Sequence, residues 1–295
     1  MLKIKAPCSS ANVGPGFDCL GIAFDIYNTF SFELADKTEY IGFADRHCND
    51  NNLVYKAYKT TLEKLGKPFV PVKIYFNGDV PNARGLGSSS TCIAAGVLAA
   101  FELSNTPYTK NDVAYISSLV EGHPDNVTPC VYGGFTEAVM FTDDEKEMLV
   151  VENFSVHDSF LFYVLIPDFV LSTKYSRDVL PKSFSLTATK KNLANVPLLI
   201  RAFERGDGKL LSLASEDWLH QPYRGGIIPG FFDIQQKAKQ LGACAVFLSG
   251  AGPSVLVVSQ HDLQQKLQEV VCDQDQKWIV KRINVDFDGI QITKD

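Results

Sequence analysis

The sequence lacks the cysteine pattern of a stapled or zinc-bound protein. Its seven cysteines (8, 19, 48, 92, 130, 244 and 272) are odd in number, widely spaced and free of any C-x-x-C pair. A disulfide framework is therefore not expected, and reduced thiols in a cytoplasmic protein are. The five histidines show no H-x-x-H or H-E-x-x-H spacing, so a zinc catalyst has no support. No apolar run nears the roughly 20 residues that cross a bilayer, and the longest, Cys92 to Phe101, follows a glycine loop. Met1-Leu2-Lys3-Ile4-Lys5-Ala6-Pro7 has neither the apolar stretch nor the cleavage site of a signal peptide. Positive charge is also in short supply. The 28 basic residues against 34 acidic ones leave a net charge of −6, which argues against nucleic acid or an anionic membrane as the main partner. Internal repeats and low-complexity segments are missing.

What is present is a globular composition, 45% hydrophobic and 21% charged, in a chain of 295 residues. That length has room for two lobes of ordinary size. Residues 1–35 read as strand, loop and strand, with the loop from Ser9 to Gly16. The spacing of Leu53, Ala57, Thr61 and Leu65 predicts a helix over 52–65, ended by Gly66 and Pro68. Val72, Ile74 and Phe76 alternate as a strand, and an apolar helix is expected from about Ser90 to Leu103. Further helices are expected over 113–120, 198–203, 210–215 and 231–241, with strands over 133–140, 160–166, 243–248 and 255–259. Strands and helices mix without regular βαβ alternation, which predicts an α+β fold with a lobe boundary near 150–165.

The sharpest feature is Pro81-Asn82-Ala83-Arg84-Gly85-Leu86-Gly87-Ser88-Ser89-Ser90-Thr91, between a strand and an apolar helix. Glycines let backbone N–H groups turn inward around an anion, and the following helix aims its positive end at the same place. The consecutive hydroxyls can donate to phosphate oxygens, and one can ligate Mg²⁺. The loop is not a Walker A, which needs a lysine, nor a Rossmann G-x-G-x-x-G, because Ser90 stands three residues after Gly87. Read alone, the same residues also fit a glycine-rich connection whose serines cap the helix.

Together with other segments, this loop resembles the GHMP family of small-molecule kinases and its P-x-x-x-G-L-G-S-S-A-A motif, matched at Pro81, Gly85, Leu86, Gly87, Ser88 and Ser89. Ser90 and Thr91 depart from the family's alanines. A glycine-rich turn that backs the loop in the family is matched by Leu248-Ser249-Gly250-Ala251-Gly252-Pro253-Ser254. Four further segments resemble the homoserine kinases within that family. They are Ser10-Ala11-Asn12-Val13-Gly14-Pro15-Gly16-Phe17-Asp18, Glu121-Gly122-His123-Pro124-Asp125-Asn126-Val127, Thr173 to Pro181 and Gln221 to Pro229. The matches run in family order from residue 8 to about 258.

The resemblance implies a two-lobed fold, with an N-terminal mixed α/β nucleotide-binding lobe over 1–158 and a C-terminal ferredoxin-like α+β lobe over 159–295. It implies ATP with Mg²⁺, and L-homoserine as the phosphate acceptor in threonine biosynthesis. Pro81, Arg84, Gly85, Leu86, Gly87, Ser88, Ser89, Ser90 and Thr91 are then the nucleotide's phosphate site, and Ser89 and Glu121 the metal ligands. For Glu121, a solvated acid at a helix end is the competing reading. Asn52 lines the adenine or simply caps its helix. Ser89, Glu121, Asn126 and Arg177 form the catalytic set. Asn12 and Asp18 suit the ammonium of homoserine, and Arg177 and Arg224 its carboxylate, because a guanidinium grips both oxygens in a fork. His123 is a further donor and Thr173 a supporting hydroxyl. Some relatives have an aspartate where this chain has Asn126, and an amide cannot be a general base. No dedicated base is therefore expected, and Asp125 reads as a loop-orienting acid. Two rivals remain: a GHMP kinase for an isoprenoid-pathway alcohol, and a non-catalytic ligand sensor on the same fold. A homodimer is the family expectation.

Overall fold

Apolar alternation at the N-terminus builds a long antiparallel pair. β1 (Leu2–Ala11) and β2 (Leu20–Leu34) run together from Leu2↔Phe32 to Ala11↔Gly21. Pro7 has no N–H to give to a ladder, and it sits where the register shifts between Pro7 and Cys8. The loop expected from Ser9 begins instead at Asn12. Ser9 and Ser10 belong to β1, and the Ser9 N–H donates to the Leu86 carbonyl at 3.2 Å. The computed structural model describes residues 1–144 and 146–294.

In chain order, β3 (Glu39–Ile41), α1 (Leu53–Lys64), β4 (Val72–Gly78), α2 (Ser88–Leu103), α3 (Lys110–Glu121), α4 (Val127–Tyr132), β5 (Phe135–Asp143) and β6 (Lys146–Phe154) complete the first lobe. Its sheet runs β1-β2-β4-β3. β5 takes the other end of the long β2, and β6 pairs with β5. α2 starts at Ser88, two residues earlier than expected, because Gly87 in the left-handed region (φ 65°) serves as its N-cap. From Ile93 to Phe101 every residue of α2 is buried, as befits a central helix. Gly96 allows α1 to approach it, since a Cβ there would stand 2.3 Å from the Val54 carbonyl.

The second lobe begins with β7 (Leu161–Pro167). α5 (Thr173–Asp178), α6 (Leu186–Arg205), α7 (Gly208–Ala214), α8 (Gln221–Arg224), α9 (Phe231–Gln240), β8 (Ala245–Leu248), β9 (Val255–Ser259), α10 (Gln264–Cys272) and β10 (Trp278–Ile283) follow. Its antiparallel sheet has the order β10-β7-β9-β8, and its connections are those of the ferredoxin-like fold. The helix expected over 198–203 is one end of the 20-residue α6, whose polar first half and internal Pro197 mask its periodicity. The last strand, β11 (Gln291–Lys294), returns to the first sheet and pairs with β1.

The lobes share a core. Phe24 meets Phe162 at 5.3 Å between ring centroids, joining the two sheets, and Phe135 of the first sheet meets Phe203 of α6 at 5.2 Å. Val80 and Leu86 belong to the same cluster, so the phosphate loop sits directly on this seam.

Candidate active site

A cavity of about 520 Å³ opens where the phosphate loop, the end of α3, the Asn12–Asp18 loop and the start of α5 converge. The loop's carbonyls are turned outward. Arg84 O accepts from Ser254 N, Gly85 O from Ser249 Oγ at 2.6 Å, and Leu86 O from Ser9 N. The cavity side is thereby left to N–H groups, and no side chain caps the first turn of α2. This is the arrangement that attracts an anion. The closeness is steric as well: a Cβ on Gly87 would fall 2.2 Å from Ser9 Oγ.

Of the expected nucleotide residues, Arg84, Gly85, Leu86, Gly87, Ser88 and Ser89 line the cavity. Pro81, Ser90 and Thr91 do not. Ser90 and Thr91 are turned into the interior by the helix, and Thr91 Oγ1 donates to Ser88 O while accepting from Asn28 Nδ2. The Arg84 guanidinium is committed elsewhere, donating to the carbonyls of Pro167 and Asp168 at 2.8 Å each. It locks the loop to the second lobe. Asn52 is a helix cap: Oδ1 accepts from the N–H groups of Val54 and Tyr55, and Nδ2 donates to His47 O. It lines the cavity with both polar ends occupied.

At the end of α3, Ser89 Oγ donates to Glu121 Oε1 at 2.6 Å. Oε2 is buried with no hydrogen-bond partner among the described residues. Burial pushes the Glu121 carboxyl upward, with the Ser89 bond, His123 and the nearby Ser90 hydroxyl pulling the other way. A buried carboxylate oxygen without a partner is costly unless a cation reaches it, and a hydroxyl beside it completes an oxygen pair suited to Mg²⁺. The residues fit the metal. Cys92, one turn along α2, stays a neutral thiol because burial pushes it up to about 12.

Gly122 ends α3 in the left-handed region (φ 93°), and the chain turns back through His123, Asp125 and Asn126 to start α4. His123 Nδ1 lies 2.5 Å from Oδ1 of the buried Asp125. Burial opposes charge on this imidazole, but Asp125 outweighs it and the net shift is upward. Asn126 lines the cavity and its Oδ1 accepts from Ser9 Oγ at 3.0 Å.

Across the cavity, Asn12 and Asp18 both adopt positive φ (67° and 57°), and Asn12 Oδ1 accepts from the Asp18 N–H. Asp18 and Arg177, assigned from sequence to opposite ends of the substrate, pair with each other at 3.1 Å. Thr173 lines the cavity as the first residue of α5. Arg224 is buried, and its Nε donates to Ser176 O at 3.1 Å. Nη1 has no partner among the described residues. Burial pushes its pKa down against the pull of Asp18, which is itself paired with Arg177.

Sequence reasoning missed two parts of the site. Phe43 and Phe76 stack at 5.0 Å and line the far end of the cavity with Ala44, Arg46 and His47. The other is His220, buried behind Arg224, whose Nε2 donates to Gly14 O at 2.9 Å. Burial pushes this imidazole below its ordinary 6.5, with Asp217 pulling it back up. The folded state therefore resists a proton that the unfolded chain accepts. The stability this gives is present above pH 6.5 and is lost as pH falls through the folded value. Thermal melts across pH 5–7 should show wild type losing stability on acidification relative to His220→Gln, whose amide can still donate to Gly14 O. A constant gap between the two would refute a neutral buried His220.

Among the described residues, no helix is long and apolar enough to cross a membrane, and no cluster of three or more His, Cys, Asp or Glu is placed to hold a metal. Known proteins resemble this chain over nearly its whole length. A family model for the GHMP kinases N terminal domain matches residues 52–134, and one for the GHMP kinases C terminal region matches 199–276. A homoserine kinase of Clostridium botulinum (strain Okra / Type B1) is 38% identical over 97% of this chain and 96% of its own. One from Clostridium beijerinckii is 37% identical over 99% and 98%. The crystal structure of homoserine kinase from Cytophaga hutchinsonii superposes with a TM-score of 0.86 at 27% identity, covering 99% of this chain and 97% of that one.

Proposed function

Because the chain belongs to the homoserine kinases of the GHMP kinase family, we propose that it transfers the γ-phosphoryl group of ATP to the side-chain hydroxyl of L-homoserine. The observation that carries this reading is the pairing, in one cavity, of an anion-attracting helix start with a buried arginine whose Nη1 has no partner among the described residues. The first suits a triphosphate and the second the carboxylate of an amino acid.

In this reading residues 1–158 bind the nucleotide. The adenine lies at the Phe43–Phe76 end, and the phosphates reach the N–H groups between Gly85 and Ser89. Ser89 and Glu121 hold Mg²⁺, which when bound neutralises phosphate charge. Arg224 receives the substrate carboxylate, and the Asp18–Arg177 pair, reached from the same cavity, offers a carboxylate for the ammonium. Phosphoryl transfer asks mainly for positioning and charge neutralisation, so Asn126 acts by orientation and no side chain need serve as base. The product, O-phospho-L-homoserine, feeds threonine synthesis in the cytoplasm.

A coupled ADP-release assay tests this directly. L-homoserine should support turnover well above L-serine and L-threonine. Equal rates with and without L-homoserine would remove the proposal.

A further inference from the structure

Arg224 faces a positional difficulty: a guanidinium with one hydrogen bond has little to fix the direction of its remaining donors. What lies against it is aromatic. Its guanidinium carbon stands 5.1 Å from the Phe17 ring centroid, and the opposite side of the problem is met by His220, whose ring stacks on Phe17 at 5.3 Å and 21°. His220 caps the start of α8 and Arg224 ends it, and the Arg224 N–H donates to the His220 carbonyl at 2.9 Å, which holds the two on one turn. Phe17 comes from the other lobe, within the Asn12–Asp18 loop.

That loop is pinned at successive points. Asn12 Nδ2 donates to Gly250 O at 2.8 Å, His220 Nε2 to Gly14 O, and Asn192 Nδ2 to Pro15 O at 3.1 Å. The entry to α8 is fixed too, because Asp217 accepts from the N–H groups of Leu219, His220 and Gln221. A flat ring held this firmly restricts a planar cation by its face while leaving edge donors free. We propose that Phe17 and His220 are positioning residues for the substrate carboxylate: their stacked rings form a shelf that sets the Arg224 guanidinium for it. Neither residue touches the reacting atoms.

This rests on homoserine being the acceptor, and the experiment separates the two ideas. Phe17→Leu keeps apolar volume but removes the ring face, and it should raise KM for L-homoserine roughly tenfold. KM for ATP and kcat at saturating homoserine should stay within about twofold of wild type. Phe17→Tyr, which keeps the face, should behave as wild type. His220→Leu should shift KM for homoserine in the same direction. With 3-amino-1-propanol, which is homoserine without its carboxylate, wild type and Phe17→Leu should become equivalent. If wild type ignores L-homoserine, the functional reading fails. If wild type uses it but Phe17→Leu leaves its KM unchanged, or raises both KM values together, or keeps its handicap with 3-amino-1-propanol, the shelf is refuted. Thermal melts of each variant show whether a loss of folding accounts for the change, and Phe17→Tyr matching Phe17→Leu would equally overturn the proposal.

Discussion

Replacing Glu121 by glutamine should lower turnover by about 10²–10³-fold while leaving the ligand-free protein at least as stable as wild type. Both halves come from the same atom. Among the described residues Oε2 is buried without a partner, and the carboxyl is pushed above its ordinary 4.5 by burial. A group whose folded pKa is raised gives its full stability below the unfolded value and loses it as pH rises. The charged side chain is therefore a burden on the empty fold from about pH 4.5 upward, and glutamine relieves it. The amide oxygen can still accept from Ser89 Oγ, so the local geometry survives. What glutamine lacks is the negative charge that a hard divalent cation needs, and the Mg²⁺ concentration for half-maximal rate should rise with the loss of turnover. ADP release measured against Mg²⁺, with melts from pH 4 to 8, reads both effects. Wild-type turnover in Glu121→Gln would mean that the carboxylate holds no metal.

Much of this site is contiguous in the sequence, and that is why it could be read there. Gly85 to Ser89 needs only a strand before it and a helix after it for its N–H groups to gather, and local spacing states both. Asn12 and Asp18 share one loop too, but it is the family resemblance that marks them for the substrate. Harder to see were arrangements that depend on distant pairing. Asp18 and Arg177 are 159 residues apart, and nothing local says they will neutralise each other while Arg224 is left alone. Arg84 looks like a phosphate ligand because it directly precedes the loop's glycines, but the carbonyls of Pro167 and Asp168 come from another lobe and take its donors. Ser90 and Thr91 were lost to helical geometry: α2 starts two residues early, and its 3.6-residue turn carries both side chains inward. The strand β11 was invisible for a different reason. It is four residues long and draws its stability from β1, at the far end of the chain.

The second large effect concerns the lone arginine. Arg224→Met should raise KM for L-homoserine by roughly 30–100-fold, the equivalent of a charge-assisted hydrogen bond of about 2–3 kcal/mol. It should not cost the empty protein its fold. A guanidinium 1% exposed, with one bond to Ser176 O and an unpartnered Nη1, is held in the fold against its desolvation cost, and an apolar side chain of similar length removes that cost. The variant should melt at the wild-type temperature or a few degrees above it. Wild type should melt higher still once homoserine is added, because a ligand at about 100 times its Kd contributes about 2.7 kcal/mol. The variant should lose most of that increment at the same concentration. The contrast matters because two explanations of a buried arginine predict opposite results. A structural arginine would lower the melting temperature on removal and leave the ligand increment intact. An arginine kept for a carboxylate does the reverse, since the stability given up by the empty site is recovered only when the anion arrives.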